Sequence, residues 1–147
     1  RGFEAVVRNN IFGTWNFIHA TANLAFIPQR RGRIVNIIAN VARGFPGMVH
    51  TGAARAGVEN LTKTLAVEWA QHGIRVNAIA PGAIKTAALA TVLTPQIEAA
   101  MLKHTPLGRL GEPSDIANAA LFLCSRASAW ISGQVLTVSG GGVQELD

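Results

Sequence analysis

The chain has 147 residues, of which 49% are apolar and only 14% charged, with a formal net charge of +5. That length suits one domain, and the absence of any run of eighteen uncharged apolar residues, or of a basic-then-apolar leader, argues against a membrane-spanning helix and an exported protein. The expected setting is cytoplasmic, with no membrane partner. The basic residues are scattered apart from Arg30, Arg31 and Arg33, and no aromatic residues interleave with them, which argues against a nucleic-acid surface and leaves an anionic substrate or cofactor as the match for the charge. The single cysteine, Cys124, cannot close an internal disulfide and sits in an apolar run that predicts a small buried side chain. No cluster of metal-ligating residues is expected.

In chain order, Phe3, Val6, Val7, Ile11, Phe17, Ile18, Leu24 and Phe26 predict a long helix over about 2–26, ended by Pro28 and the polar Gln29 to Gly32. A short β-branched run at 33–39 predicts a buried strand. The segment 40–49, containing Gly44, Pro46 and Gly47, is the loop at that strand's carboxyl end, where open α/β sheets bind ligands. Ala54, Val58, Leu61, Leu65 and Trp69 lie at helical spacing and predict a helix over about 51–71, stopped by Gly73. The apolar stretch 74–80 follows as a second buried strand, lying beside 33–39 as a parallel βαβ unit with helices above and below. Beyond Pro81 and Gly82, a long connection over 83–113 has a weakly helical middle at 96–103 and is of the kind that covers a substrate. Pro113, Ser114 and Asp115 start a helix to Cys124, and 133–138 is a third strand. Three strands make a poor sheet alone, and the chain opens at Arg1 in a helical pattern without Met, so a fragment of a longer protein is expected, its apolar surface covered by missing chain or partner subunits.

Several stretches together resemble the carboxyl half of a short-chain dehydrogenase/reductase: Asn10 to Gly13, Gly32 to Ile37, the helix that opens at Val49-His-Thr-Gly-Ala-Ala-Arg-Ala-Gly-Val58, Ile74 to Gly82, Arg109 to Pro113, and Ile131 to Val135 with Gly140 and Gly141. The wording of the central helix is most similar to the branch with trans-2-enoyl-CoA and 2,4-dienoyl-CoA reductases. The resemblance implies an α/β fold with a Rossmann-type parallel sheet and helices on both faces, partial here, so that 1–147 form the carboxyl-terminal half of one domain. It also implies an NADP or NAD cofactor and a homodimer or homotetramer paired through the long and central helices. The glycine-rich phosphate loop of the family has no match in this chain.

Where the family uses Asn, Ser, Tyr and Lys, this chain matches Asn10 but carries Ala39 or Ile38 for Ser, Thr51 for Tyr and Arg55 for Lys. The resemblance therefore assigns catalysis to Asn10, Thr51 and Arg55, and cofactor contacts to Ile37, Arg55, Pro81, Gly82, Ile84 and Thr86, with the Ile84 backbone meeting the carboxamide and Thr86 the diphosphate. Ketone reduction makes an alkoxide that needs a poised acid, which threonine is not; hydride addition to a C=C conjugated with a thioester makes an enolate that hydrogen-bond donors can carry. Arg55 would hold ribose hydroxyls or neutralise that enolate. The expected activity is reduction of the C=C of an enoyl-CoA or related enone. The rivals are a carbonyl reductase or alcohol dehydrogenase, including 3-oxoacyl reduction, and an inactive homologue serving as an oligomer partner. Arg55, Glu59 and Lys63 at i, i+4, i+8 equally fit a solvated charge ladder, and Asn10 equally fits a bridge between helix and strand. His50 at the helix mouth fits an acid or base, or a hydrogen-bonded structural residue. Ser139 replaces the family's Asp, with no account of what that changes.

Overall fold

The computed structural model describes residues 2–42 and 44–142. A continuous helical run begins the chain: α1 (Gly2–Val7), a π-turn (Arg8–Phe12), α2 (Gly13–Thr21), a second π-turn (Ala22–Phe26) and α3 (Ile27–Gln29). It outlasts the predicted end at 26 and carries Pro28 in its last turn, reaching Gln29. Arg30 then closes the helix in the left-handed region at φ 49°, and its guanidinium donates to the Gln71 carbonyl at 2.7 Å. Gly32 opens β1 (Gly32–Ile37) directly under Phe26, whose ring would lie 2.7 Å from any added Cβ.

The predicted βαβ unit is present. From β1 the chain passes through α4 (Val49–Glu68) to β2 (Ile74–Pro81), which pairs parallel with β1 from Gly32↔Ile74 to Ile37↔Ile79. The turn between α4 and β2 rests on Gly73, at φ 67° and hard against the Arg30 carbonyl, a place no side chain fits. α5 (Ala87–Ala90), α6 (Pro95–Lys103) and α7 (Pro113–Cys124) follow. The last strand, β3 (Val135–Val138), pairs parallel with β2, giving a sheet in the order β1-β2-β3. It starts two residues later than the predicted strand, since Gly133 adopts φ 75°.

Alternation along β2 divides the two faces. Ile74, Val76 and Ala78 meet α4 and the long helix: one cluster joins Ile18, Ile34, Leu65, Ala66, Ile74 and Val76, and another joins Ile38, Val58, Ala78 and Ala80. Arg75 points to the opposite face, where its guanidinium donates to the carbonyls of Leu123 (2.8 Å) and Ser125 (3.2 Å) at the end of α7 and of Ile131 (2.9 Å). Asn77, also buried, donates to the Ile131 carbonyl at 3.0 Å and accepts from the Gln134 amide at 3.0 Å. The 131–138 segment is thus held by β2 through side chains as well as strand pairing. Within the α4 layer, Asn36 donates to Thr62 Oγ1 at 2.9 Å, satisfying two buried polar groups against each other.

Cys124 corrects one expectation: it is exposed at the end of α7. That helix carries apolar residues around most of its circumference, with Leu123 buried while Leu121 and Phe122 also face outward. Phe17 (77% exposed), Leu24 (84%), Val67 (79%) and Trp130 (100%) leave further apolar surface uncovered. Among the described residues no helix is long and apolar enough to cross a membrane, and no group of three or more His, Cys, Asp or Glu converges as for a metal.

Candidate active site

At the carboxyl ends of β1 and β2 the sheet opens into a cavity of about 840 Å³. Its floor is Ile38, Ala39 and Asn40 after β1, and Pro81, Gly82 and Ala83 at the end of β2. One wall is Phe45 and Pro46 of the loop after β1, as the loop's position predicts. The opposite wall is α6, through Ile97, Ala100, Met101 and the adjoining His104, a contribution the sequence reading places only as a weakly helical cover. The lining is mostly apolar with a few polar groups, the usual make-up of a site for a small organic molecule. His104 is its sole titratable side chain among the described residues.

Gly82 has a specific reason to be glycine. A Cβ there would lie 2.8 Å from the Ser139 backbone, and the Gly82 amide donates to the Val138 carbonyl at 2.9 Å. Close approach of the two strand ends brings Ser139 and Gly142 into the cavity lining.

The expected site residues fall into two groups. Around β1 and α4, Arg55 stands one turn after Thr51 on α4, and its Nη1 donates to the Ile37 carbonyl at the tip of β1 at 2.8 Å. Burial pulls the Arg55 guanidinium below its ordinary pKa. The charge-ladder alternative is thereby resolved: Glu59 accepts from Lys63 at 2.6 Å, while Arg55 leaves that face and turns to the strand. Thr51 is half-buried, and its Oγ1 lies 3.0 Å from His50 Nδ1. Next to it, any Cβ on Gly52 would come within 2.8 Å of Phe45 Cβ, so the first turn of α4 backs directly onto the cavity wall. Asn10 sits in the first π-turn, and its amide donates to the Val6 carbonyl of its own helix at 2.9 Å. The neighbouring Ile11 packs over Gly57, two residues beyond Arg55 on α4. None of Asn10, Thr51 and Arg55 lines the cavity: Thr51 and Arg55 stand beside its β1 edge, and Asn10 is bonded within its own helix.

The second group follows β2. Pro81 and Gly82 line the cavity itself. Ile84 forms an isolated parallel bridge with Gly111, in which the Gly111 amide donates to the Ala83 carbonyl (2.9 Å) and the Lys85 amide to the Gly111 carbonyl (2.8 Å). A parallel bridge uses the groups flanking its central residue, so the N–H and C=O of Ile84 itself face the other way. One donor and one acceptor side by side are what a primary carboxamide requires. Thr86 caps α5, its hydroxyl accepting from the Leu89 amide at 3.1 Å. Beneath Ile84, Arg109 grips Asp115 with both nitrogens (2.7 and 3.0 Å), and these bonds hold the Asp115 carboxyl down to about 2. Asp115 also accepts from the Glu112 amide at 2.8 Å, fixing the start of α7.

Comparison with known proteins defines the class. Residues 1–142 match the family described as Enoyl-(Acyl carrier protein) reductase, and the chain belongs to this branch of the short-chain dehydrogenases/reductases. Among individual relatives, the 7alpha-hydroxysteroid dehydrogenase of Escherichia coli K12 is 58% identical over 100 residues, which are 68% of this chain and 39% of the relative. A probable 2,4-dienoyl-CoA reductase [(2E)-enoyl-CoA-producing] of Bacillus subtilis 168 is 42% identical over 144 residues, 95% of this chain and 57% of the relative. A solved 7 alpha-hydroxysteroid dehydrogenase, complexed with NADH and 7-oxo glycochenodeoxycholic acid, superposes with a TM-score of 0.90 at 45% identity, covering 99% of this chain and 57% of that one. The chain thus spans about half the length of these relatives or less.

Proposed function

We propose that the intact protein is an NAD(P)-dependent oxidoreductase that reduces the C=C of an enoyl thioester or related enone. The observation that carries this reading is the position of Arg55, bonded to the Ile37 carbonyl at 2.8 Å, one turn beyond Thr51. The pair stands where the family pattern has Lys and Tyr. When bound, the cofactor supplies hydride. The Ile84 peptide groups would hold its carboxamide, with Pro81 and Gly82 beside it, Arg55 would serve its ribose and Thr86 its diphosphate. Arg55 and Thr51 then offer donors to the oxygen on which enolate charge develops, and preorganised donors of this kind lower the barrier without a strong acid. The apolar cavity of about 840 Å³ accepts an acyl chain. The partners are accordingly a small-molecule substrate and further copies of the chain, in the cytoplasm.

The second reading is carbonyl reduction or alcohol oxidation, favoured by the likeness to a hydroxysteroid dehydrogenase that binds NADH and an oxo substrate. Oxidation of NADH and NADPH by the intact gene product, followed at 340 nm with crotonyl-CoA and with a simple β-keto ester, separates the two. Faster turnover of crotonyl-CoA is expected. Preference for the β-keto ester selects the second reading, and cofactor binding without turnover of either selects an inactive oligomer partner.

A further inference from the structure

We infer that His50 is a positioning residue that feeds the proton used in turnover to Thr51, an inference that rests on the reductase reading above. Three observations carry it. His50 Nδ1 lies 3.0 Å from Thr51 Oγ1, a direct hydrogen bond between half-buried side chains. The first turn of α4, which holds both, backs onto the cavity wall at Phe45. And the chain contains no tyrosine at all, so no phenol within it can serve as the acid.

A threonine hydroxyl is too weak an acid to give up its proton unless another arrives as the first leaves. A histidine is a group that can supply one near neutral pH. With Nδ1 committed to Oγ1, the imidazole keeps Nε2 for exchange with water. Hydride addition at the β-carbon moves the π pair of the C=C onto the conjugated carbonyl as an enolate. The Oγ1–H bond of Thr51 breaks as the α-carbon of the enolate takes that proton and its π pair becomes the new C–H bond, the Nδ1–H bond of the His50 imidazolium breaks to restore the hydroxyl and leaves neutral imidazole, and a proton from bulk solvent restores the imidazolium. One proton is consumed per hydride and no further oxidant or reductant is needed. The same chain of transfers would serve an alkoxide formed from a carbonyl, so the relay does not depend on which substrate class is reduced. It gives His50 a use that a capping role would not, since α4 begins without any side-chain cap.

The test uses the intact gene product and both substrate classes. His50→Ala is expected to lower kcat by about 10²-fold, the scale of general acid–base assistance, with KM nearly unchanged, and added imidazole is expected to restore part of the loss. His50→Asn keeps a hydrogen-bonding group near the Nδ1 position but cannot relay a proton, so it should stay as slow as His50→Ala while melting like the parent. In ¹⁵N spectra of the side-chain imidazoles, Thr51→Val should move the Nδ1 resonance of His50 and leave those of His19, His72 and His104 in place. Wild-type rates in His50→Ala or His50→Asn, or a His50 resonance indifferent to Thr51→Val, would overturn the relay. Turnover of the β-keto ester alone sinks the enone reading while leaving the relay to be judged on the variants, and turnover of neither substrate sinks both.

Discussion

From Val58 to Ala66, α4 lies against the sheet with Val58, Thr62, Leu65 and Ala66 all buried, and its polar contact there is a closed pair, Thr62 with Asn36. From Val49 to Arg55 the same helix is half exposed, uncapped by any side chain, and its polar groups reach outward to a neighbouring carbonyl and to each other. One rigid element thus holds the candidate site's edge by anchoring its far half. The half packed on the sheet carries the buried apolar contacts and stabilises the fold most, whereas the half beside the candidate site bonds its polar groups to one another and to the Ile37 carbonyl.

The sharpest way to break this division is to damage the anchor. Leu65→Ala removes a side chain that is 3% exposed within the Ile18–Ile34–Val76 cluster, and it should destabilise the intact protein by about 2–5 kcal/mol in chemical denaturation. Activity of the fraction that remains folded should be largely retained. Arg55→Ala inverts the pattern: kcat/KM should fall by about 10²-fold, typical of deleting one donor from a charge-stabilising site, while the denaturation midpoint moves little. Turnover indifferent to the substitution would remove Arg55 from the mechanism. The smallest effect is expected far from either half, at Arg109 and Asp115. Asp115 titrates at about 2 in the folded chain, below the ~3.9 of an unfolded aspartate. The pair therefore supports the fold above the unfolded value, and that support fades as pH falls through about 2. In an NMR titration, Arg109→Gln should return the Asp115 carboxyl toward the ordinary range, with little change in activity near neutrality.

The sheet and its helices were legible because their signals are local: β-branched runs at 33–39, of which the strand keeps the residues up to Ile37, and at 74–80, helical spacing from Ala54 to Leu65, and Gly73 where the chain must turn left-handed. The ends were less so. Pro28 reads as a stop, yet the helix runs through it and reaches Gln29. Cys124 reads as core because the five residues before it are apolar, but which side of α7 faces inward depends on where β1 and β2 lie beneath it. The site was half legible. Pro81 and Gly82 announce themselves as a turn at a strand end, and Arg55 by what it replaces. That Arg55 bonds the Ile37 carbonyl, that α6 forms a wall with Met101 and His104, and that His50 is tied to Thr51 all follow from how distant segments or successive side chains orient in space. No spacing rule encodes them.

The grip of β2 on the 131–134 segment carries a consequence for how the protein is made. Arg75 and Asn77 are synthesised long before the carbonyls of Ile131 and Ser125 and the amide of Gln134 that satisfy them. Until those late residues emerge from the ribosome, a guanidinium and an amide in the middle of the sheet lack their partners, each a burden of about 1–3 kcal/mol if buried alone. A product terminated before Ser125 would leave both side chains without these partners.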